Sequence, residues 1–500
     1  MPILAKRYQG ILAALWLLIT VPALPAAAAD SDAQVLHVLN RLAFGPNADD
    51  FAYVKMIGVE RYIAEQLDPA AITEPIELRF RLAQLTTFGL GAVALRQFYG
   101  PPRNVDGAKP TLDDIKAQQQ RANLVFREAA EARVLRAVLS RRQLEQVMVN
   151  FWFNHFNIFG GEGLERIWVG DYEDQVIRAF ALGRFRDLLF AVAKHPAMLV
   201  YLDNTQNIAM ARTGQDRLNE NFAREVMELH TLGVDGGYSQ DDVETLARVF
   251  TGWRVNSPGS TAFPEVAAVF EGGRHDSAPK VFLGRKLVAR GKAEGEQALD
   301  ILASSPATAH HIAFGLSQYF VADAPPATLV ERVAARFLAT GGDIRQVLKT
   351  LFDSPEFWSS KGQKYKTPYE FIISAVRASA LPLNNPGSLL GWMSRFGMPL
   401  YGCLTPEGYK NTADAWLSPD ATLQRIDFAA AFARGGVPVA METDGDRAVA
   451  SPSRPLAVEP SRLLAIFGPS LSPETRAVVD GAPPGQRAGL ILGSPDFMRR

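Results

Sequence analysis

Apolar positions recur every three to four residues through most of the chain, a period that predicts helices. The longest such stretch runs from Asp113 to about Phe156 with almost no glycine or proline. Further helices are predicted at about 174–194, 217–232, 240–252, 296–304, 307–320, 327–339, 343–353 and 368–380. Ser239 with Asp242 three positions on forms a capping pattern, and Gly233, Gly236 and Gly237 stop the helix before it. One segment departs from this period. Ala267 to Phe270 and Lys280 to Leu283 look like short strands around a loop holding Gly272, Gly273, His275 and Asp276. The expected fold is therefore mainly α, a large multi-helix body with a small inserted β-hairpin. Proline and glycine mark surface loops near 100–110 and 435–460. Leu351–Phe357 (LFDSPEF) is echoed by Ile491–Phe497 (ILGSPDF), two similar helix stops at Ser-Pro.

The N-terminus reads as a secretory signal over residues 1–29. Lys6 and Arg7 are followed by an apolar run from Ile11 to Val21, then by Ala27-Ala28-Ala29, which predicts a mature start at Asp30. That run is shorter than the roughly 20 residues a membrane span needs, and no later stretch is long and apolar enough either. The expected product is periplasmic or secreted, with residues 30–500 forming one helical region; it divides most naturally into segments 30–254, 255–435 and 436–500. Lys and Arg number 52 against 53 Asp and Glu, a net charge of −1, so nothing points to nucleic acid. Arg133, Arg136, Arg141 and Arg142 are interleaved with Glu128, Glu131 and Glu145, which predicts a solvated helix face. Cys403 is the only cysteine, so no disulfide can form within the chain.

Polar residues inside apolar surroundings supply the candidate chemistry. Leu144 to Phe156 (LEQVMVNFWFNHF) is apolar around its whole circumference, the mark of a buried helix. Glu145, Asn150, Asn154 and His155 on it then need partners, either as core hydrogen-bonding groups or as part of a polar site. On Asn219 to Gly233 (NENFAREVMELHTLG), a turn of about 100° per residue puts Asn221, Arg224, Glu225 and Glu228 on one face. His230 falls on the opposite side, so it cannot join Glu225 and Glu228 as a ligand from one face. The acidic face suits a divalent cation, acid–base work, another helix or plain solvent. Asp203-Asn204 reads as a turn, His275-Asp276 as a turn or a metal-binding pair, and His310-His311 as neighbours that diverge on a helix. The chain has no His-Glu-x-x-His, no phosphate-binding Gly-x-x-x-x-Gly-Lys, no Gly-x-Ser-x-Gly and no cysteine cluster.

Several motifs together resemble the bacterial family catalogued as domain of unknown function 1800. They are His37–Gly45 (HVLNRLAFG), Phe151–Phe156 (FWFNHF), His195–Asn204 (HPAMLVYLDN), Asn219–Val234, Gly236–Trp253 (GGYSQDDVETLARVFTGW), His275–Gly284 (HDSAPKVFLG) and Lys366–Phe371 (KTPYEF). In order they cover nearly the whole chain. The resemblance implies export, a largely helical body and pairing with a second exported protein related to alkaline phosphatases and sulfatases. It carries no biochemical activity. One departure stands out: the family often places a lysine shortly after the position of Phe156, and Asn157–Glu165 contains none.

Two functions are compatible with these features. The first is an exported, envelope-associated accessory or scaffold protein acting with an exported partner. The second is a metal-assisted hydrolase or transferase acting on an envelope polymer. There Glu225, Glu228, Asn154 and His155 are the catalytic candidates, and Glu225, Glu228, His275 and Asp276 the ligands of a divalent metal. Convergence of the first four in one cleft is the feature that separates the two.

Overall fold

The computed structural model describes residues 31–101, 109–209, 217–256, 267–440 and 456–500, together with the backbone of 443–444 and 447–448. The signal-peptide reading of 1–29 and parts of both predicted loops lie outside the described residues. Helices dominate, as the periodicity predicts, and strands form only short antiparallel pairs. No helix among the described residues is long and apolar enough to cross a membrane. One continuous cluster of buried apolar side chains runs from Val35 to Met498 and draws on all three segments of the chain.

The centre of that core is the helix Gln143–His155, whose Leu144, Val147, Met148 and Trp152 are completely buried. Trp152 sits edge-on to Phe151 and donates its indole N–H to the Ala181 carbonyl at 2.9 Å, so its polar edge is also satisfied. The long predicted helix is in fact two, Leu112–Leu139 and Gln143–His155. Ser140 turns extended, and Glu74 holds the corner by accepting from the Ser140 hydroxyl and the Arg141 N–H. Gln143 covers the end of the first helix by donating to the Ala137 and Ser140 carbonyls. These partners are distant in sequence or local in a way that periodicity does not register.

The predicted hairpin also needs correcting. Ala268–Phe270 does form a strand, but it pairs with Trp253–Val255, while Val281–Phe282 pairs with Arg285–Lys286. Trp253 lies against Phe270 as an aromatic cross-strand pair. Ser239 and Asp242 do form a capping box, at the start of Gln240–Phe250. The two Ser-Pro echoes share a geometry. Ser354 and Ser494 each accept from the N–H three residues on, which belongs to the buried Phe357 and Phe497 respectively.

The expectation of a solvated basic face fails for most of its length and holds at Arg141, which is exposed. Arg133 and Glu128 are buried, and Arg136 is mostly covered. Glu128 accepts from the Thr87 N–H and from the Thr86 and Thr87 hydroxyls, so its alternation with arginine marks a packed surface.

Candidate functional site

The face chosen from sequence is carried by the helix Asn221–Glu228, shorter than the predicted 217–232. Phe222, Ala223, Val226 and Met227 are buried beneath it. Arg224 is the hub: it reaches Glu220 at 3.0 Å, Gln240 at 2.9 Å and Glu228 at 3.3 Å. Glu225 is half-buried, and its carboxyl is held above the usual carboxylate range, first by desolvation and then by the Glu228 carboxylate. Glu407 adds to that rise and Arg224 opposes it.

His230 lies on the other side, as the helical geometry requires, and is fully buried against Phe156. Burial lowers its pKa to about 3, and neither ring nitrogen makes a hydrogen bond. His155 and His311 lie beside it, with the His155 ring 6.3 Å from His230 and 5.8 Å from His311. Their Nε2 atoms contact the backbone carbonyls of His230 and Leu229, both at 3.1 Å. Burial first, and the neighbouring imidazoles second, hold His155 well below the ordinary histidine range. His310 points outward, so the adjacent pair diverges.

Asn154 is engaged with the chain's own backbone. Its Nδ2 donates to the Tyr409 carbonyl and its Oδ1 accepts from the Tyr409 N–H, each at 2.7 Å. Asn157 donates to the Cys403 and Thr405 carbonyls, and the Gly160 N–H donates to the Tyr401 carbonyl. Segment 399–411 is thereby strapped to the end of the central helix. The approach is close: a Cβ on Gly408, where φ is +73°, would lie 2.2 Å from the Asn154 carbonyl oxygen. Asn154 and His155 do line one cavity of about 60 Å³, along with Tyr319, Thr367 and Asn411. No hydrogen bond or ion pair among the described residues links either of them to Glu225 or Glu228.

His275 and Asp276 share Thr251, whose hydroxyl lies 3.3 Å from His275 Nδ1 and accepts from the Asp276 N–H. His275 Nδ1 lies 3.0 Å from the Thr251 carbonyl, and Nε2 lies 3.1 Å from Glu294, which also pairs with the buried Lys280. Asp276 pairs with Arg248 and accepts from the Ala278 N–H. Asp203 adopts φ 59° in the predicted turn, and Asn204 donates to the Phe250 and Trp253 carbonyls. Among the described residues, no group of three or more His, Cys, Asp or Glu side chains is placed to hold a metal ion.

Sequence reasoning missed two buried charge networks. In the first, Arg133 meets Glu173 at 3.0 Å and Asn150 at 2.8 Å, and Tyr401 donates to the same Glu173 oxygen at 3.0 Å. Arg178 joins Glu173, Asp174 and Glu145, and Arg136 joins Asp174. The carboxylates Glu173 and Asp174 sit on a π-helical turn, Tyr172–Arg178, a rare irregularity that occurs frequently at functional sites. The second network gathers Arg41, Lys364, Lys366, Arg425 and Arg500 around Glu370 and Asp323. The only signal available was a charged residue at the core-facing phase of a helix, such as Arg41 within Asp32–Leu42.

The molecule is thus a mainly α protein built on one apolar core, whose buried polar side chains chiefly fasten its own backbone and one another. The chain belongs to the family described as protein of unknown function (DUF1800), whose model matches residues 37–499. Neither a curated protein nor a solved structure matches it.

Proposed function

We propose that this is an exported accessory or scaffold protein of the cell envelope, periplasmic or secreted, working with an exported partner. The observation that carries the reading is the use of the polar residues singled out from sequence. Asn154 straps the Tyr409 backbone, and Arg224 braces Glu220 and Glu228, while His275 pairs with Glu294 and Asp276 with Arg248 and Lys280. Exposed Ile76 and Phe80 add support, since they lie one turn apart on the helix Ile76–Ala83, and adjacent exposed apolar side chains favour protein contacts. By the family resemblance, the partner is a relative of alkaline phosphatases and sulfatases. The signal-like residues 1–29 support the location.

The competing reading, a metal-assisted hydrolase or transferase, needs the acidic face and the Asn154–His155 cavity to act together. Cross-linking in envelope fractions, combined with metal analysis, separates the two. The scaffold reading expects a discrete higher-mass product that Ile76→Ser with Phe80→Ser removes without lowering Tm, and background metal in both wild type and Glu225→Gln. Stoichiometric metal lost in Glu225→Gln would overturn it in favour of the enzyme.

A further inference from the structure

Arg41, Lys364, Lys366, Arg425 and Arg500 come from four distant parts of the chain and are each no more than 5 % exposed. One equally buried carboxylate, Glu370, acts on all five; Asp323, half-buried, pairs with Lys364. A terminal carboxylate on Arg500 would remove one more charge and still leave cations in excess. Glu370 is also committed elsewhere, since its Oε2 accepts from the Thr367 N–H at 2.8 Å and its Oε1 ion-pairs with Arg500 at 3.0 Å.

Buried charge is tolerated where it is paired and hydrogen-bonded. Here five guanidinium nitrogens are not: Arg41 Nε and Nη1, Arg425 Nη1 and Nη2, and Arg500 Nε make no hydrogen bond. Aromatic faces cover part of the deficit, with Arg425 over Tyr365 at 4.5 Å and Arg500 over Tyr319 at 4.6 Å. They attract a cation but do not saturate its N–H groups.

The cluster adjoins the cavity of about 60 Å³ described above. Tyr319 and Thr367 form part of its wall, and Lys364 donates to the carbonyl of Asn411, whose side-chain oxygen also lacks a partner. One water needs about 10–15 Å³ by that measure, so the space takes several waters, and the cluster borders it through Tyr319, Thr367 and Asn411 while none of the five cations lines it. Guanidinium groups present planar forks of donors that match the oxygens of phosphate, sulfate or a carboxylate.

We propose that this cationic cluster is a binding site for a small oxyanion, held by the unpartnered donors of Arg41, Arg425 and Arg500. Burial excludes a phosphorylated macromolecule as the occupant, because none of the five cations is more than 5 % exposed. The inference is independent of the scaffold reading.

The test uses the full protein. Inorganic phosphate, sulfate and acetate are titrated separately at constant ionic strength, with chloride as the balancing salt, while Tm is followed. Equilibrium dialysis with labelled phosphate then measures stoichiometry. The expected result is a saturable rise in Tm of several degrees with at least one oxyanion and close to one bound ion per chain. Ranking the three probes distinguishes a dianion site from a carboxylate site. In Arg425→Met the rise should disappear while Tm without oxyanion stays level or increases, because an uncompensated charge has gone. Should that variant fail to fold, dialysis of the wild type decides alone. Equal responses to chloride and to all three oxyanions, with no ion retained on dialysis, would overturn the proposal.

Discussion

Two networks of buried charge lie in one core, and they are built on opposite terms. Around Glu173, three arginines (Arg133, Arg136 and Arg178) face three carboxylates (Glu145, Glu173 and Asp174). Arg133 is further enclosed by the rings of Phe153, Tyr369 and Tyr401, each about 5 Å away. Around Glu370, five cations share two carboxylates and leave donors unpaired. The first network closes on itself and fixes how the helices Leu112–Leu139 and Gln143–His155 meet the π turn. The second is open in charge. Burial alone therefore does not mark a polar cluster as structural; charge balance separates the two, and in the first only Arg178 Nε lacks a hydrogen bond, against five guanidinium nitrogens in the second.

The largest expected effect comes from unbalancing the closed network. Glu173→Gln strands Arg133 and Arg178, and breaking a buried pair in this way costs about 3–5 kcal/mol. Urea denaturation should show a midpoint lowered accordingly with an unchanged slope. A midpoint equal to wild type would mean that the Glu173 network is as loosely determined as the Glu370 one.

Next comes pH. Burial lowers the Lys366 amine to about 7 and the Lys364 amine to about 8, from an ordinary value near 10.5. The unfolded chain then binds more protons than the folded one between those values and about 10.5, so stability should rise as pH increases through that window. The rise belongs to the open cluster, and Lys366→Met should reduce it, leaving the part due to Lys364. Thermal melts from pH 6.5 to 10 that show the same slope in wild type and variant would remove Lys366 as a source.

The smallest effect serves as the baseline. Glu228→Gln weakens a partly exposed pair with Arg224, and such pairs are worth about 0–1 kcal/mol. A loss comparable to that of Glu173→Gln would place the acidic face among the rigid parts of the molecule.

How much of this was legible beforehand follows from the range of each interaction. Helix periods, the Ser239 cap, the buried Trp152 helix and the outward divergence of Glu225 from His230 are local, and they were readable. The Ser140 corner depends on Glu74, and the strand pairing on Trp253, partners that no local pattern specifies. The charged networks were misread for the same reason. Glu128 and Arg133 alternate as a wet helix face does, and only packing reveals Thr87, Glu173 and Tyr401 beside them. Asn154 and His155 were rightly flagged as needing partners, but their partners, Tyr409 and the His230 carbonyl, lie far along the chain.

The segment 357–366 has one further property. The first helix leans on it, His37 contacting the Phe357 carbonyl and Arg41 the Ser360 carbonyl. The last residues pair with it too, through the Lys364–Arg500 and Lys366–Met498 backbone bonds. These pieces lie far apart along the chain, so the polar groups of the helix Asp32–Leu42 find their seats only when long-range contacts form. Chain closure over such separations is slow compared with local helix formation. Segment 357–366 is thus a meeting point, where contacts from two distant parts of the chain close late, after the local helices have formed.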